Sequence, residues 1–406
     1  MPKKIVCLVL TLCWLMASTA LAEQPRIHAF GGSGKDLPMD AIPLQDGGFL
    51  LAGNTLSMDG DVLAREDRAH AAADAWAIRL DSSYHIVFQI LISDSVTAQE
   101  QFSLVKQLPD ESFVLLYEFT DLDHHKFRLL HYSSSGKFMD ELPLPQNTRI
   151  LREVQDGFIA GGGFRDYYGN EEDKNVPWLT KISYDGTVVW HQTYAAMAPW
   201  SILDIYQEGD VLFCAGKWRE AFEYSGNIVC LDAAGNFLWD YKTEPDGFTT
   251  LNKIAAMPDG GAIAVGWKSG PYEDDGGIMV RVDNQGNQQF KKTIYRPDVA
   301  WFTDIIQTEE GSLISGLQMY ERNGRLYSSG WLLRINAEGK ITHELGGDLL
   351  PGADSSLLIQ AKDHLAYYIT SGGPMQNVKD FFLMQIANLP EADYALDEFG
   401  GMEEFE

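Results

Sequence analysis

Short apolar runs alternate with glycine- and aspartate-led turns along nearly the whole chain. Cys230 to Thr243, CLDAAGNFLWDYKT, shows the pattern in one piece: an apolar run, a tight turn, then an aromatic residue four positions past the glycine. Two such runs flanking a turn predict a β-hairpin. The stretches RLDSSYHIVF (79–88), HYSSSGKFMD (131–140), KISYDGTVVW (181–190), CLDAAGNFLW (230–239), RVDNQGNQQF (281–290) and RINAEGKITH (334–343) superimpose on it without gaps, and QIANLPEADY (385–394) is a weaker seventh copy. The glycine position falls at Tyr84, Gly136, Gly186, Gly235, Gly286, Gly339 and Pro390, so the steps are 52, 50, 49, 51, 53 and 51 residues. Spacing this even marks a repeat architecture.

A second motif precedes each of these turns. It reads DGGFLLAG (46–53), DESFVLLY (110–117), DGFIAGG (156–162), GDVLFCAG (209–216), DGGAIAVG (259–266), EGSLISG (310–316) and KDHLAYY (362–368), a turn feeding a short apolar strand. A further apolar run lies before each, as in SILDIYQ (201–207) and FTDIIQT (302–308). Each unit therefore predicts four short strands. Four-stranded units of this length fit propeller blades. The expectation is an all-β, seven-bladed β-propeller of four-stranded antiparallel blades over residues 23–390. The seventh copy decays after Pro390, so the unpaired stretch PRIHAFGG (25–32) is expected to supply its last strand and close the ring, sparing two open sheet edges. The turn glycine permits the tight bend. Phe88, Trp190, Trp239 and Phe290, four residues later, are expected to pack between neighbouring blades, less well where Asp140 and His343 replace them.

LDAAGNFLWDYKT resembles the repeat of the PQQ-like propellers through Asp232, Gly235 and Trp239. The third copy keeps Gly186 and Trp190, with Ser183 in the aspartate position. The glycine-led strand motif with its RLD-type third strand is also similar to secreted bacterial propeller repeats of the delta-60 kind. The resemblance implies a propeller used as a surface or scaffold module. It brings no quinone site with it: quinoprotein dehydrogenases of this kind are typically eight-bladed with a disulfide between neighbouring cysteines, and no PQQ is expected here.

The chain opens MPKKIVCLVLTLCWLMASTALAEQ. Lys3 and Lys4 precede an apolar run from Ile5 to Ala20 and an Ala20-Leu21-Ala22 cleavage site, which predicts a signal peptide over 1–22 and a secreted or periplasmic, non-inserted product. Leu12 before Cys13 argues against a lipoprotein. The formal net charge is −27, and loss of the two leader lysines makes it more negative. Such a surface repels nucleic acid and anionic lipid and favours a soluble monomer. The tail, 391–406, carries only acidic charges and is expected to lie loose. Cys214 and Cys230 remain after cleavage, on adjacent strands of one hairpin. An oxidising compartment permits a disulfide between them, and buried free thiols are the alternative.

Chemistry is expected on one face, where the long connections between second and third strands and between successive blades emerge. The former are acidic: Asp59, Asp61, Glu66 and Asp67; Asp121 and Asp123 beside His124 and His125; Glu171, Glu172 and Asp173; Glu273, Asp274 and Asp275. Oxygen clusters suit calcium, with Asp59, Asp61, Asp121 and Asp123 the candidate ligands, although solvated loop acids give the same pattern. The connections between blades deliver Trp200 with Asp204 and Trp301 with Asp304, while PMDAI adds Asp40 and ILREV adds Arg149 and Arg152. Aromatic faces beside carboxylates suit sugars, and the same tryptophans also suit the sealing of blade junctions. FGGSGKD (30–36) has the outline of a phosphate loop but lacks its first glycine, at Ala29, and its hydroxyl, at Asp36. There is no G-x-S-x-G, H-E-x-x-H or paired CxxC motif. The reading is a binding module for a glycan or an extracellular protein. A carbohydrate-active enzyme using a pair such as Asp204 and Asp304, and a structural spacer of an envelope assembly, are the alternatives.

Overall fold

In the computed structural model the described residues are 27–63, 72–95, 97–121, 125–145, 148–162, 176–197, 200–220, 223–244, 247–270, 275–295, 300–322, 325–346, 356–360, 366–372 and 380–386. The leader 1–22, the tail 391–406 and Asp123 lie outside them. After β1 (Ile27–Phe30), the first sheet holds β2 (Asp36–Pro43), β3 (Phe49–Thr55), β4 (Asp74–Leu80) and β5 (Ile86–Ile92). The second holds β6 (Gln99–Gln107), β7 (Phe113–Thr120), β8 (His125–Tyr132) and β9 (Phe138–Leu142). The third holds β10 (Ile150–Val154), β11 (Gly157–Gly162), β12 (Trp178–Ile182) and β13 (Val188–Thr193). Next come β14 (Trp200–Glu208), β15 (Val211–Glu220), β16 (Glu223–Asp232), β17 (Phe237–Lys242), β18 (Phe248–Ala256), β19 (Ala262–Ser269), β20 (Gly276–Val282) and β21 (Gln288–Tyr295). They are followed by a sheet of β22 (Ala300–Thr308), β23 (Gly311–Arg322), β24 (Arg325–Ile335) and β25 (Ile341–Leu345). The last holds β26 (Ser356–Gln360), β27 (Ala366–Gly372) and β28 (Asp380–Ile386), with β1 paired antiparallel to β28 at its outer edge. The chain is an all-β propeller of four-stranded antiparallel blades.

Seven separate sheets do not result. Five four-stranded sheets stand alone, while β14–β21 hydrogen-bond as one eight-stranded sheet. Its halves are antiparallel meanders joined by a single parallel bridge between Tyr224 and Phe248. The β15–β16 hairpin runs out to Glu220 and Glu223 and carries Tyr224 to the start of β18. There the Tyr224 N–H donates to the Gly247 carbonyl at 3.3 Å, and the two rings meet at 5.7 Å.

The cores lie between sheets. Leu50 and Ala77 of the first meet Phe102 and Leu115 of the second, and Phe381 and Leu383 of β28 meet Trp76 and Ile78 of β4. Second strands such as β3 are buried on both faces, which is why their sequences are continuously apolar rather than alternating. Full burial of a side chain such as Trp76 or Trp331 contributes about 2–3 kcal/mol. First strands pack against one another in order, β2 on β6, β6 on β10, β10 on β14, β14 on β18, β18 on β22 and β22 on β26, and β26 lies against β2. Among the described residues no helix is long and apolar enough to cross a membrane.

At the outer edge, a ring from one sheet covers the turn of the next. Gly136, Gly235, Gly286 and Gly339 hold φ between 71° and 85°. A Cβ at each would stand 2.7, 2.8, 2.7 and 2.6 Å from Phe88, Trp190, Trp239 and Phe290. Glycine is required there twice over, by the left-handed backbone and by the ring above it. Tyr84 takes the glycine position of the first sheet with φ 65°, and His28 of β1 stacks on it at 3.9 Å.

Cys214 and Cys230 are free and buried. They sit on paired strands, yet Cys214 faces the core shared with the third sheet and Cys230 the core shared with β18–β21. Strand side chains alternate between faces, so the two Cβ vectors point apart and a disulfide is geometrically closed to them. Burial raises both thiols, Cys230 to about 11. Alkylation without reductant is expected to spare both in the folded chain and to modify both in denaturant. A disulfide-linked peptide pair in the digest would overturn this.

Candidate functional site

Bulges interrupt the first strands between Pro38 and Asp40, Ile202 and Asp204, Leu251 and Lys253, and Phe302 and Asp304. A bulge re-aims the side chain that follows it. Here it aims three carboxylates at the neighbouring first strand. Asp40 Oδ2 accepts the Val105 N–H of β6 at 2.8 Å, Asp204 Oδ2 the Ile254 N–H of β18 at 3.2 Å, and Asp304 Oδ2 the Leu358 N–H of β26 at 2.8 Å. Two cations neutralise them. Arg152 of β10 donates from Nε to Asp204 Oδ1 at 2.6 Å and from Nη2 to the Leu203 carbonyl at 3.1 Å. Lys253 Nζ stands 3.7 Å from Asp204 Oδ1 and 3.9 Å from Asp304 Oδ1. Burial pushes the Asp40 carboxyl up to about 6, opposed by the Val105 N–H and by the charges of Lys253 and Arg152. Burial also raises Asp304, with Lys253 acting against it, and Asp204 raises the Lys253 ammonium.

The structure thus brings together Asp40, Asp204 and Asp304 with Arg152. Arg149, three residues earlier on the approach to β10, is exposed. Lys253 escapes a search for acids, but it occupies the repeat position of Asp204 and Asp304 and so was readable from the period. The two tryptophans part company. Trp200 is fully buried and packs edge-on against Tyr194 at 5.8 Å. Trp301 is half-buried and, with Thr250, Asn252, Trp267 and Asp275, lines an open pocket of about 380 Å³. Thr250 and Trp267 are paired across β18 and β19, and Asn252, the bulge residue of β18, donates from Nδ2 to the Phe302 carbonyl at 3.1 Å. Among the described residues the buried Asp275 Oδ1 has no hydrogen-bond partner. The pocket therefore offers two half-buried indoles and a carboxylate oxygen in need of a donor.

Asp59 and Asp61 bond to the segment that follows β1. Asp59 Oδ1 accepts the Ser33 N–H at 2.6 Å and Asp61 Oδ2 the Gly31 N–H at 3.2 Å. Asp36, fully buried, accepts Ser57 Oγ at 2.8 Å, the Gly32 N–H at 3.0 Å and the Thr55 hydroxyl. These bonds turn the phosphate-loop-like segment into a clasp between β1 and the first sheet. Asp380 lies beside it, and burial, then the charges of Asp36 and Asp61, push its carboxyl up to about 6. Among the described residues no group of three or more His, Cys, Asp or Glu side chains is placed to hold a metal ion. Asp121 is on the connection of a different sheet from Asp59 and Asp61.

No protein-family model and no curated protein matches the chain. Among solved structures it is similar to a protein of unknown function from Dyadobacter fermentans, at 10% identity over 89% of this chain and 99% of that one, with a TM-score of 0.49. It is similar to the β-propeller domain of the trilobed protease from Pyrococcus furiosus, at 10% identity over 91% and 99%, with a TM-score of 0.47. It is also similar to BamB from Moraxella catarrhalis, at 9% identity over 88% and 98%, with a TM-score of 0.41. Likenesses at this level say nothing of ligand or activity.

Two substitutions test the carboxylate ring. Asp204→Ala leaves Arg152 and Lys253 without their shared anion and is expected to lower folding stability by about 3 kcal/mol; a loss close to zero in urea titration would remove Asp204 from the framework. Asp40 holds its proton to higher pH folded than unfolded. Its contribution is therefore full below the ordinary aspartate pKa of about 3.9 and is lost as pH rises through about 6. Asp40→Asn does not titrate, so its stability relative to wild type is expected to rise by about 2 kcal/mol between about pH 4 and pH 7.5. A pH-independent difference would count against this burial.

Proposed function

We propose that the chain is a secreted binding module, a seven-bladed propeller in which β14–β17 and β18–β21 act as separate blades and β1 completes the last one. The return of β26 onto β2 and the stacking of His28 on Tyr84 support a closed ring. The leader is removed after Ala22, and the product works as a monomer outside the cytoplasm. Its ligand pocket is the one between Trp267 and Trp301, and the ligand is a polyhydroxylated one, an oligosaccharide. The observation that carries this is the meeting of two half-buried indoles with Asp275 in one pocket wall, the Asp275 Oδ1 having no hydrogen-bond partner among the described residues. Indole faces stack on the apolar face of a sugar ring, and a hydroxyl supplies the missing donor. Thr250 and Asn252 add polar groups at the same wall. The first-strand carboxylates favour binding over catalysis, since each already accepts a backbone N–H from the next first strand and two share Lys253.

Titration of the purified chain with a panel of oligosaccharides, followed by calorimetry, tests the reading. One of them is expected to bind, and Trp301→Ala and Trp267→Ala are each expected to weaken it about tenfold or more. Absence of binding across the panel, or binding indifferent to both substitutions, would sink the glycan reading.

A further inference from the structure

The ring-on-turn contact is broken at one described junction. Between the second and third sheets the ring position holds Asp140, whose carboxylate is bonded back to His131 Nδ1 of its own sheet at 2.8 Å. Gly186 keeps the left-handed turn, with φ 81°, but Pro143 lies over it in place of an aromatic, 2.5 Å from where a Cβ would stand. Beside that contact a pocket of about 300 Å³ opens, lined by Pro143, Leu144, Pro145, Ile182 and Val188, with the Thr180–His191 hydrogen bond, 2.7 Å, in its wall. That volume is at the small end of ligand sites.

We propose that this pocket is a peptide-binding site that takes an aromatic side chain of a partner protein, supplying in trans the ring that the repeat omits in cis. The occupant is argued from the other junctions, where Phe88, Trp190, Trp239 and Phe290 cover the turn that the smaller Pro143 covers here, with the hollow beside it. Tryptophan fits best. Trp190 Nε1 donates to the Ala233 carbonyl at 2.9 Å and Trp239 Nε1 to the Asn284 carbonyl at 3.0 Å, in each case the residue two before the turn glycine. At this junction the matching carbonyl is that of Tyr184. The surroundings define the rest of the ligand. Phe138, Met139, Val188 and Val189 are each about half exposed, so the apolar surface continues along the outer strands β9 and β13 beyond the pocket. Asp140 and Glu141 remain 64% and 44% exposed even though His131 and Arg128 pair with them, and Asp185 is exposed in the turn. On a chain of net charge −27, these acids call for basic residues next to the tryptophan.

The test compares acetyl-Lys-Trp-Lys-amide with acetyl-Lys-Ala-Lys-amide on the whole chain, using a fluorotryptophan version of the first and its fluorine NMR line width. The tryptophan peptide is expected to bind about tenfold or more tighter than the alanine peptide. Asp140→Trp, which refills the junction from within, and Val188→Arg, at the exposed mouth, are each expected to weaken it by about the same factor. Equal binding of the two peptides, no binding of either, or full binding to either folded variant would overturn the proposal. Should Asp140→Trp fail to fold, Val188→Arg decides alone. A glycan at Trp301 is unaffected by any of these changes, so the two sites stand or fall separately.

Discussion

Among the described residues each turn between third and fourth strands passes through a residue of positive φ, and at Gly136, Gly235, Gly286 and Gly339 an aromatic ring of the preceding sheet rests on it. The contact couples two requirements that are independent in most hairpins. A left-handed backbone selects glycine for conformational reasons, and the ring selects it again because no Cβ has room. One residue type thus fixes both the hairpin and the spacing of adjacent sheets at their outer rim. Tyr84 shows what happens when only the first requirement remains. It holds φ at 65°, an uncommon state for a bulky residue, and answers the missing ring-on-glycine contact by stacking its own ring on His28. The turn lies where β1, the outer strand of the last sheet, reaches the first sheet.

At the inner end the sheets are joined by charge instead. Burying Asp40, Asp204 and Asp304 is costly, and each offsets the cost with a backbone N–H from the next strand. If the repeat were followed strictly, Lys253 would be a fourth acid. Four carboxylates around one axis would repel one another in a medium where screening is weak. A lysine between Asp204 and Asp304 converts that repulsion into two attractions. The departure from the period is therefore what makes the buried ring of charge tolerable.

Much of this was legible from turn chemistry. The hairpins, the four strands per unit and the covering aromatics follow from the place of glycine, because turn geometry is local. Where tertiary pairing decides, local signals mislead. The number of separate sheets depends on one hairpin reaching Tyr224 to Phe248, a matter of loop length rather than pattern. The cysteine pair looked bondable by proximity along the strands, but a period of two sends the side chains to opposite cores. The tryptophans show the same rule at single-residue resolution. Trp200 stands four residues before Asp204, and Trp301 three before Asp304. With the bulges aligned, Trp200 matches Ala300 and falls in the core, while Trp301 matches Ser201 and reaches the pocket. The two stretches look like one motif, but that one-residue offset places the two indoles on opposite faces of their strands.

In a repeat fold, equivalent positions meet nearly the same surroundings, so the consensus residue at each is the one that packs best there. A departure that costs packing with no gain nearby is then a physical anomaly that needs a compensating contact. Lys253 finds its compensation inside the ring, and Tyr84 finds it in His28. Asp140 gives up an aromatic contact for a hydrogen bond to His131 that leaves its own carboxylate 64% exposed, and a single such bond contributes little, typically about 1 kcal/mol. The ring it forgoes leaves an apolar hollow beside Pro143. Of the departures in the described residues, this one is poorly compensated within the chain, which is the physical reason to look for its compensation in another molecule.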